Sequence, residues 1–326
     1  NGAQQRIERH RKKQLTLMLE DAFDNPISGA MIDAELVRHD FQFGTVFGVK
    51  QFNMIRKHLH LFGNQIGFEN AGYKNAFRVE ILPENVDPLD VRYNVIQWIH
   101  RSTRGWSYGS SVIDPRTGEI IKGHVSLGSL RIRQDFMIAQ ALIENPFPEG
   151  NNNSSMLEMA LSRIRQLSAH EVGHTLGFAH NFASSANNRS SVMDYPHPLI
   201  ELKNNKIDLS NAYDTGIGDW DKVTVAYSYS EIDEEDEKDI LNKILVDSQK
   251  KGLRFISDRD ARAQDGSHAY AHLWDNGASA TVGLNEILKI RSIAISKFSE
   301  NNIREGEPYS KLEDLFVLLY FMHRYQ

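Results

Sequence analysis

The chain has 326 residues, a net charge of −6, 40% hydrophobic and 25% charged residues, and no cysteine. That is the balance of a globular protein with one large domain or two modest ones. The acidic balance excludes a broadly basic nucleic-acid surface. The lack of cysteine excludes disulfides, thiolate metal ligands and cysteine nucleophiles. No run of about 18 apolar residues marks a membrane span.

Residues 5–13 are charged and helix-permissive, and Arg9-His10-Arg11-Lys12 reads as a solvated helix face. Residues 14–20 partly alternate apolar and polar positions, as a half-buried strand does. Asn25-Pro26-Ile27-Ser28-Gly29 is a turn signal, with a second strand predicted at 31–37. Residues 49–62 space Phe52, Ile55, Leu59 and Phe62 for one helix face. Residues 76–82 and 91–100 read as strands. Residues 106–113 and 119–127 flank Asp114-Pro115-Arg116-Thr117-Gly118, which predicts a β-hairpin.

The loop 149–155 ends in a helix-start signal. Ser155 with Glu158 three residues on matches a capping box. Met156, Met159, Leu161, Ile164, Leu167 and Val172 then carry an apolar stripe to Leu176, which predicts one long helix over 155–176. The acidic run 233–239 is read as a solvated helix start in preference to a structural calcium site. Further helices are expected near 236–250, 281–299 and 310–325, and no internal repeat is present. The opening Asn1-Gly2-Ala3-Gln4-Gln5 is not patterned as a signal peptide, and the chain stops just after an apolar, helix-like run. A piece of a longer protein is expected.

Residues 170–180 read His-Glu-Val-Gly-His-Thr-Leu-Gly-Phe-Ala-His, or H-E-x-x-H-x-x-G-x-x-H. His170 and His174 stand at i and i+4, so on a helix both imidazoles leave one face, one turn apart. Gly177 can take the left-handed conformation that ends a helix, so the chain can turn and return His180 as a third ligand. Three protein nitrogens with an open fourth position describe a catalytic Zn2+ site, one ion, and not a closed structural one. Glu171 lies beside that face and is the expected general base toward a zinc-activated water, later passing the proton to the leaving amine.

Ser191-Val192-Met193-Asp194-Tyr195-Pro196 follows, with Met193 thirteen residues past the third histidine. Together with the zinc signature it resembles the Met-turn of the metzincin superfamily. The resemblance implies that Met193 forms an apolar floor beneath the histidines and that Tyr195 approaches the zinc and stabilises an oxyanion. Arg101–Gly109, Asp114–Ile120 and Leu127–Arg131 are also similar to large bacterial exported zinc-dependent metalloproteases of metzincin type, as are Gly216-Ile217-Gly218-Asp219-Trp220-Asp221-Lys222, His272–Gly277 and the ending His323-Arg324-Tyr325-Gln326. The likeness covers roughly 64–326. It implies an α+β fold: a twisted mixed sheet with two long helices above, including the active-site helix, and a mainly helical lower subdomain. The boundaries it implies are an N-terminal segment 1–60 and a catalytic domain 61–326, upper to about 177 and lower from about 178. The same resemblance implies flanking domains on a longer chain and location outside the cytoplasm of a bacterium.

In metzincins the substrate extends along an edge strand above the active-site helix. Residues 106–112 are the candidate strand, with Trp106, Tyr108 and Gly109 as candidate substrate-binding residues. Gly105 and Gly109 would let a backbone approach, and a plain hairpin with a buried Trp106 is the alternative. His124 is read as a strand histidine, His197 as a cleft residue, His268 and His272 as non-ligands, and Leu176 and Phe178 as core contacts. The expected function is a zinc-dependent endopeptidase acting on proteins or peptides. A non-catalytic zinc-containing binding module and a zinc hydrolase of non-peptide amides are its rivals. Residues 9–12 and 25–44 resemble the opening of some xylanase-type glycoside hydrolases, but the repeated βα units that barrel needs do not follow.

Overall fold

The computed structural model describes residues 43–46, 79–101, 105–151, 153–265 and 267–325. The elements expected at 5–13, 14–20, 25–29, 31–37 and 49–62 lie outside the described residues. Internal contacts divide the chain into Asn1–Asp40 and Phe41–Gln326, and the described elements belong to the second unit.

Five strands, β1 (Phe43–Val46), β2 (Val79–Ile81), β3 (Asn94–Ile99), β4 (Tyr108–Ile113) and β5 (Ile120–Gly128), form a sheet of order β2-β1-β3-β5-β4. β1 runs parallel to β2 and β3, and β3 parallel to β5. β4 is antiparallel to β5 and is an edge strand. The sheet is therefore mixed, as expected. Val95 and Ile96 of β3 are both buried, so this strand is covered on both faces. The β4–β5 turn is the expected one. The Asp114 carboxylate accepts from the Arg116 backbone at 3.0 Å, and Gly118 at φ 75° donates to the Asp114 carbonyl at 2.8 Å.

Two long helices follow, α1 (Ser129–Leu142) and α2 (Ser154–Thr175), then α3 (Asp219–Tyr229), α4 (Glu237–Lys250), a single-turn α5 (Asp258–Ala261), α6 (Ala280–Lys297) and α7 (Ser310–Tyr320). A small hairpin, β6 (Glu201–Lys203) and β7 (Lys206–Asp208), turns through Asn204 and Asn205, both at positive φ. The acidic run falls at the start of α4, with Glu237 and Asp239 in its first turn. α7 ends at Tyr320, and a 3-10 turn over Met322–Tyr325 takes up the rest of the helix expected to 325.

The cap of α2 differs from the expected one. Asn153, extended at φ −62° and ψ 129°, is the N-cap, and its side chain accepts from the Ser155 N–H at 3.0 Å. Ser155 is already helical, so it cannot cap Glu158; the amide oxygen of Asn153, two residues earlier, does the job first. α1 was not legible because its stripe is broken by Asp135, which is fully buried against Arg131 at 3.1 Å and the Tyr213 hydroxyl at 2.6 Å.

α2 is held by two cores. Its C-terminal half places Ile164, Leu167, Val172 and Leu176 against Val79, Ile96, Val125 and Leu127 of the sheet. Its N-terminal half places Met156 and Met159 against α1, α6 and α7 through Ile138, Leu142, Ile290 and Leu319. Each such side chain contributes about 1.5–3 kcal/mol of burial. Gripped at both ends, the helix presents its last turn in a fixed orientation. The fold is α+β, with sheet, α1 and α2 preceding Gly177 and mainly helical structure after it.

Candidate metal centre

α2 ends in a Schellman arrangement. Phe178 N–H donates to the Gly173 carbonyl at 3.1 Å and Gly177 N–H to the His174 carbonyl at 3.0 Å, with Gly177 left-handed at φ 87°. The sharp turn carries the chain back across the helix end and brings His180 beside His170 and His174. The three Nε2 atoms converge, with His174 to His170 and His174 to His180 each 3.1 Å. A tetrahedral zinc with Zn–N of about 2.0–2.1 Å needs nitrogens roughly 3.3 Å apart. Among the described residues these three histidines are the one group of this kind able to hold a metal ion. His124, on β5 opposite Ser110, is a strand histidine, and His268 and His272 stand outside the group.

Each imidazole uses its other nitrogen to fix its tautomer. His170 Nδ1 donates to the Val192 carbonyl at 2.7 Å and His174 Nδ1 to the Phe178 carbonyl at 2.9 Å. His180 Nδ1 meets Asp258 Oδ2 at 2.6 Å. An acceptor on every Nδ1 leaves every Nε2 lone pair facing the centre. Burial, reinforced by the neighbouring ring, lowers the pKa of His170 well below its ordinary value, and burial lowers that of His174. Neutral imidazoles are the form a metal takes. The residues present therefore fit a zinc ion with three protein ligands and one open position.

Asp258, on α5, sits 78 residues beyond His180 and had no local signal. Burial would raise its pKa, but the hydrogen bond with His180 and the contact with Arg262 outweigh that and hold the carboxylate low. Asn181 brings this segment in. It is fully buried, its Oδ1 accepts from Ile256 N at 3.1 Å, and its Nδ2 donates to the Arg254 carbonyl at 2.9 Å.

Met193 is buried with Ala169 and Val192 and lies against Gly173 in the last turns of α2. Gly173, inside the helix, makes room for it: a Cβ there would fall well inside van der Waals distance of Met193 Sδ and 3.3 Å from its Cε. A helix-interior glycine costs about 1 kcal/mol relative to alanine, which was the one hint to its role. The Tyr195 ring lies 4.5 Å from that of His180 and 5.4 Å from that of His170, centroid to centroid. Burial, then the charges of Asp258 and Glu171, raise its pKa and keep the phenol protonated. Trp274 stacks beyond it at 6.5 Å, with its own backbone left-handed at φ 62° and its N–H on the Tyr195 carbonyl at 2.9 Å.

Glu171 is 4% exposed, and burial pushes its pKa up to about 7 against the opposing pull of the Gly109 N–H and the Arg163 charge. Gly109 thus reaches the carboxylate through its backbone. A Cβ added at Gly109 would collide with the Glu171 carbonyl, so the close approach the glycine permits is that of α2. Trp106 is 70% exposed, which overturns the alternative of a buried hairpin tryptophan, and Tyr108 is exposed as well. Leu176 and Phe178 are core contacts, and His197 is buried.

The family model described as Met-zincin matches residues 152–326, just over half of the chain. The chain belongs to the Met-zincin family. No curated protein and no solved structure matches it. The matched span of this Met-zincin begins one residue before the N-cap of α2 and takes in the three histidines, the methionine turn and Asp258. Among the described residues no helix is long and apolar enough to cross a membrane.

Proposed function

We propose that this Met-zincin is a zinc-dependent endopeptidase, with His170, His174 and His180 holding one zinc ion and Glu171 acting as the general base. The observation that carries the reading is the convergence of three imidazole Nε2 atoms beside a buried carboxylate whose pKa is raised to about 7. Zinc, when bound, polarises a substrate carbonyl and lowers the pKa of water toward about 7. Glu171 is matched to that value, takes the proton from the attacking water and delivers it to the leaving amine. The Gly109 N–H keeps the carboxylate aimed while leaving its basicity largely to burial. Tyr195, protonated and beside His170 and His180, donates to the carbonyl oxygen as negative charge develops. Met193 supports the floor.

The substrate is read as an extended peptide lying along β4. β4 is the sheet edge, its exposed positions include Tyr108 and Val112, and its Gly109 N–H reaches Glu171. The test is zinc content together with cleavage of denatured casein by the parent and by Glu171→Ala. Zinc in both with cleavage in the parent alone is the expected result. Zinc in both with equal cleavage would remove Glu171 from its role.

A further inference from the structure

The stretch Gly216–Lys222 contains no metal ligand and no residue of the proposed chemistry, yet its backbone is in contact with the methionine turn. Trp220 N–H donates to the Ser190 carbonyl at 2.9 Å. Gly218 comes so close that a Cβ would collide with the Ser190 carbonyl and lie 2.7 Å from Ser191 N. The side chain that joins the two segments is Asp221, in the first turn of α3 and 4% exposed. Its Oδ1 accepts from Ser191 Oγ at 2.6 Å, and its Oδ2 accepts from Val192 N at 2.8 Å and from Gly218 N at 2.7 Å.

Those bonds lead to the metal centre in two short steps. The Val192 N–H is held by Asp221, and the Val192 carbonyl receives His170 Nδ1 at 2.7 Å and Gln166 Nε2 at 2.9 Å. Ser191 Oγ, oriented by its bond to Asp221, accepts from the Met193 N–H at 3.0 Å. The group that turns His170 and the group that places the methionine are therefore fastened to one buried carboxylate. Three donors on one carboxylate is a charge-assisted arrangement. A neutral amide cannot reproduce it, because it offers one acceptor oxygen in place of two.

We infer that Asp221 is a positioning residue of the metal centre, setting the Ser191–Met193 turn and, through the Val192 peptide, the orientation of His170. This rests on the zinc reading above. The test uses the full chain and its Asp221→Asn variant, with Zn2+ affinity measured by chelator competition and the visible spectrum of the Co2+-loaded protein as a second readout. Groups behind metal-binding histidines typically contribute 10–100-fold to affinity. The expected result is about tenfold weaker Zn2+ binding and a shifted, weakened Co2+ band, with unchanged far-ultraviolet circular dichroism. Unchanged affinity and an unchanged Co2+ band in a folded variant overturn the inference, even if its metal-free melting temperature drops, since that is what a purely structural residue would do. If Asp221→Asn does not fold, Ser191→Ala removes the Oδ1 donor alone. A severalfold loss of Zn2+ affinity with a shifted band then supports the inference, and parental values overturn it. A parent that binds neither ion overturns the zinc reading itself, and is told apart because the failure lies in the parent.

Discussion

The fit between Gly173 and Met193 yields a quantitative expectation. Gly173→Ala adds one methyl to α2 and should gain about 1 kcal/mol of helix propensity. The same methyl falls well inside van der Waals distance of Met193 Sδ and 3.3 Å from its Cε. Met193 is 3% exposed and packed with Ala169 and Val192, so its sulfur must move against a full core. Such overpacking costs about 1–3 kcal/mol, leaving a net change of about 0–2 kcal/mol destabilising in the parent. In a Met193→Ala background, itself costing about 2–5 kcal/mol from the cavity, the collision is gone and Gly173→Ala should stabilise by about 1 kcal/mol. The coupling is the difference, about 1–3 kcal/mol, well above the 0.3–0.5 kcal/mol scatter of independent sites. Urea unfolding of the four metal-free proteins measures it. Coupling within that scatter would mean that the methionine does not occupy the space the glycine leaves.

Glu171→Gln should keep zinc and lose cleavage by about 10²–10⁴-fold, the usual share of a general base, read by casein hydrolysis against bound zinc. The same variant should stabilise the metal-free protein at pH 8. The folded pKa, about 7, lies above the ordinary 4.5, so the ionised carboxylate opposes folding above pH 7 and that penalty fades as pH falls from 7 to 4.5. The gap corresponds to about 3 kcal/mol at most, and denaturant midpoints at pH 8 and pH 4.5 check the sign. Asp258→Asn should weaken Zn2+ binding by about 10–100-fold with secondary structure intact, measured by chelator competition. Trp274 holds a left-handed backbone at φ 62°, so Trp274→Gly should be about 1 kcal/mol more stable than Trp274→Ala, by thermal melts.

The ligands and the end of α2 were legible because they are local, and the methionine turn through its resemblance to that of the metzincins. Spacing at i and i+4, a left-handed glycine and a short return loop lie within eleven residues, so helix geometry alone brings His170, His174 and His180 together. The hairpin was legible for the same reason. The groups that orient the ligands were not. Asp258 reaches His180 across 78 residues and Asp221 reaches Ser191 across 30, and a single aspartate in a charged or turn-like stretch reads as a solvated residue. α1 was missed because it buries Asp135, which costs little only once Arg131 and the distant Tyr213 are in place. Gly109 was read for its openness to a substrate backbone, while the neighbour it admits is the helix that carries Glu171.

The three Nδ1 acceptors come from three different parts of the fold: the turn at Val192, the helix end at Phe178 and the single-turn helix at Asp258. None of the three is adjacent to its histidine in sequence, and only the helix end lies within one turn of it. The ligand set and the His174 tautomer can be set by α2 and its return loop, but the tautomers of His170 and His180 can be fixed only after the lower region has folded around them. Val192 waits on Asp221, and Asp258 waits on Asn181 clamping residues 254–256. A metal bound here therefore draws its affinity from contacts spread over residues 178–262, and its binding energy is in part the folding energy of that region. On the proposed function, the burial of Glu171 and Asp221, which works against stability, sets basicity and ligand geometry before a substrate arrives.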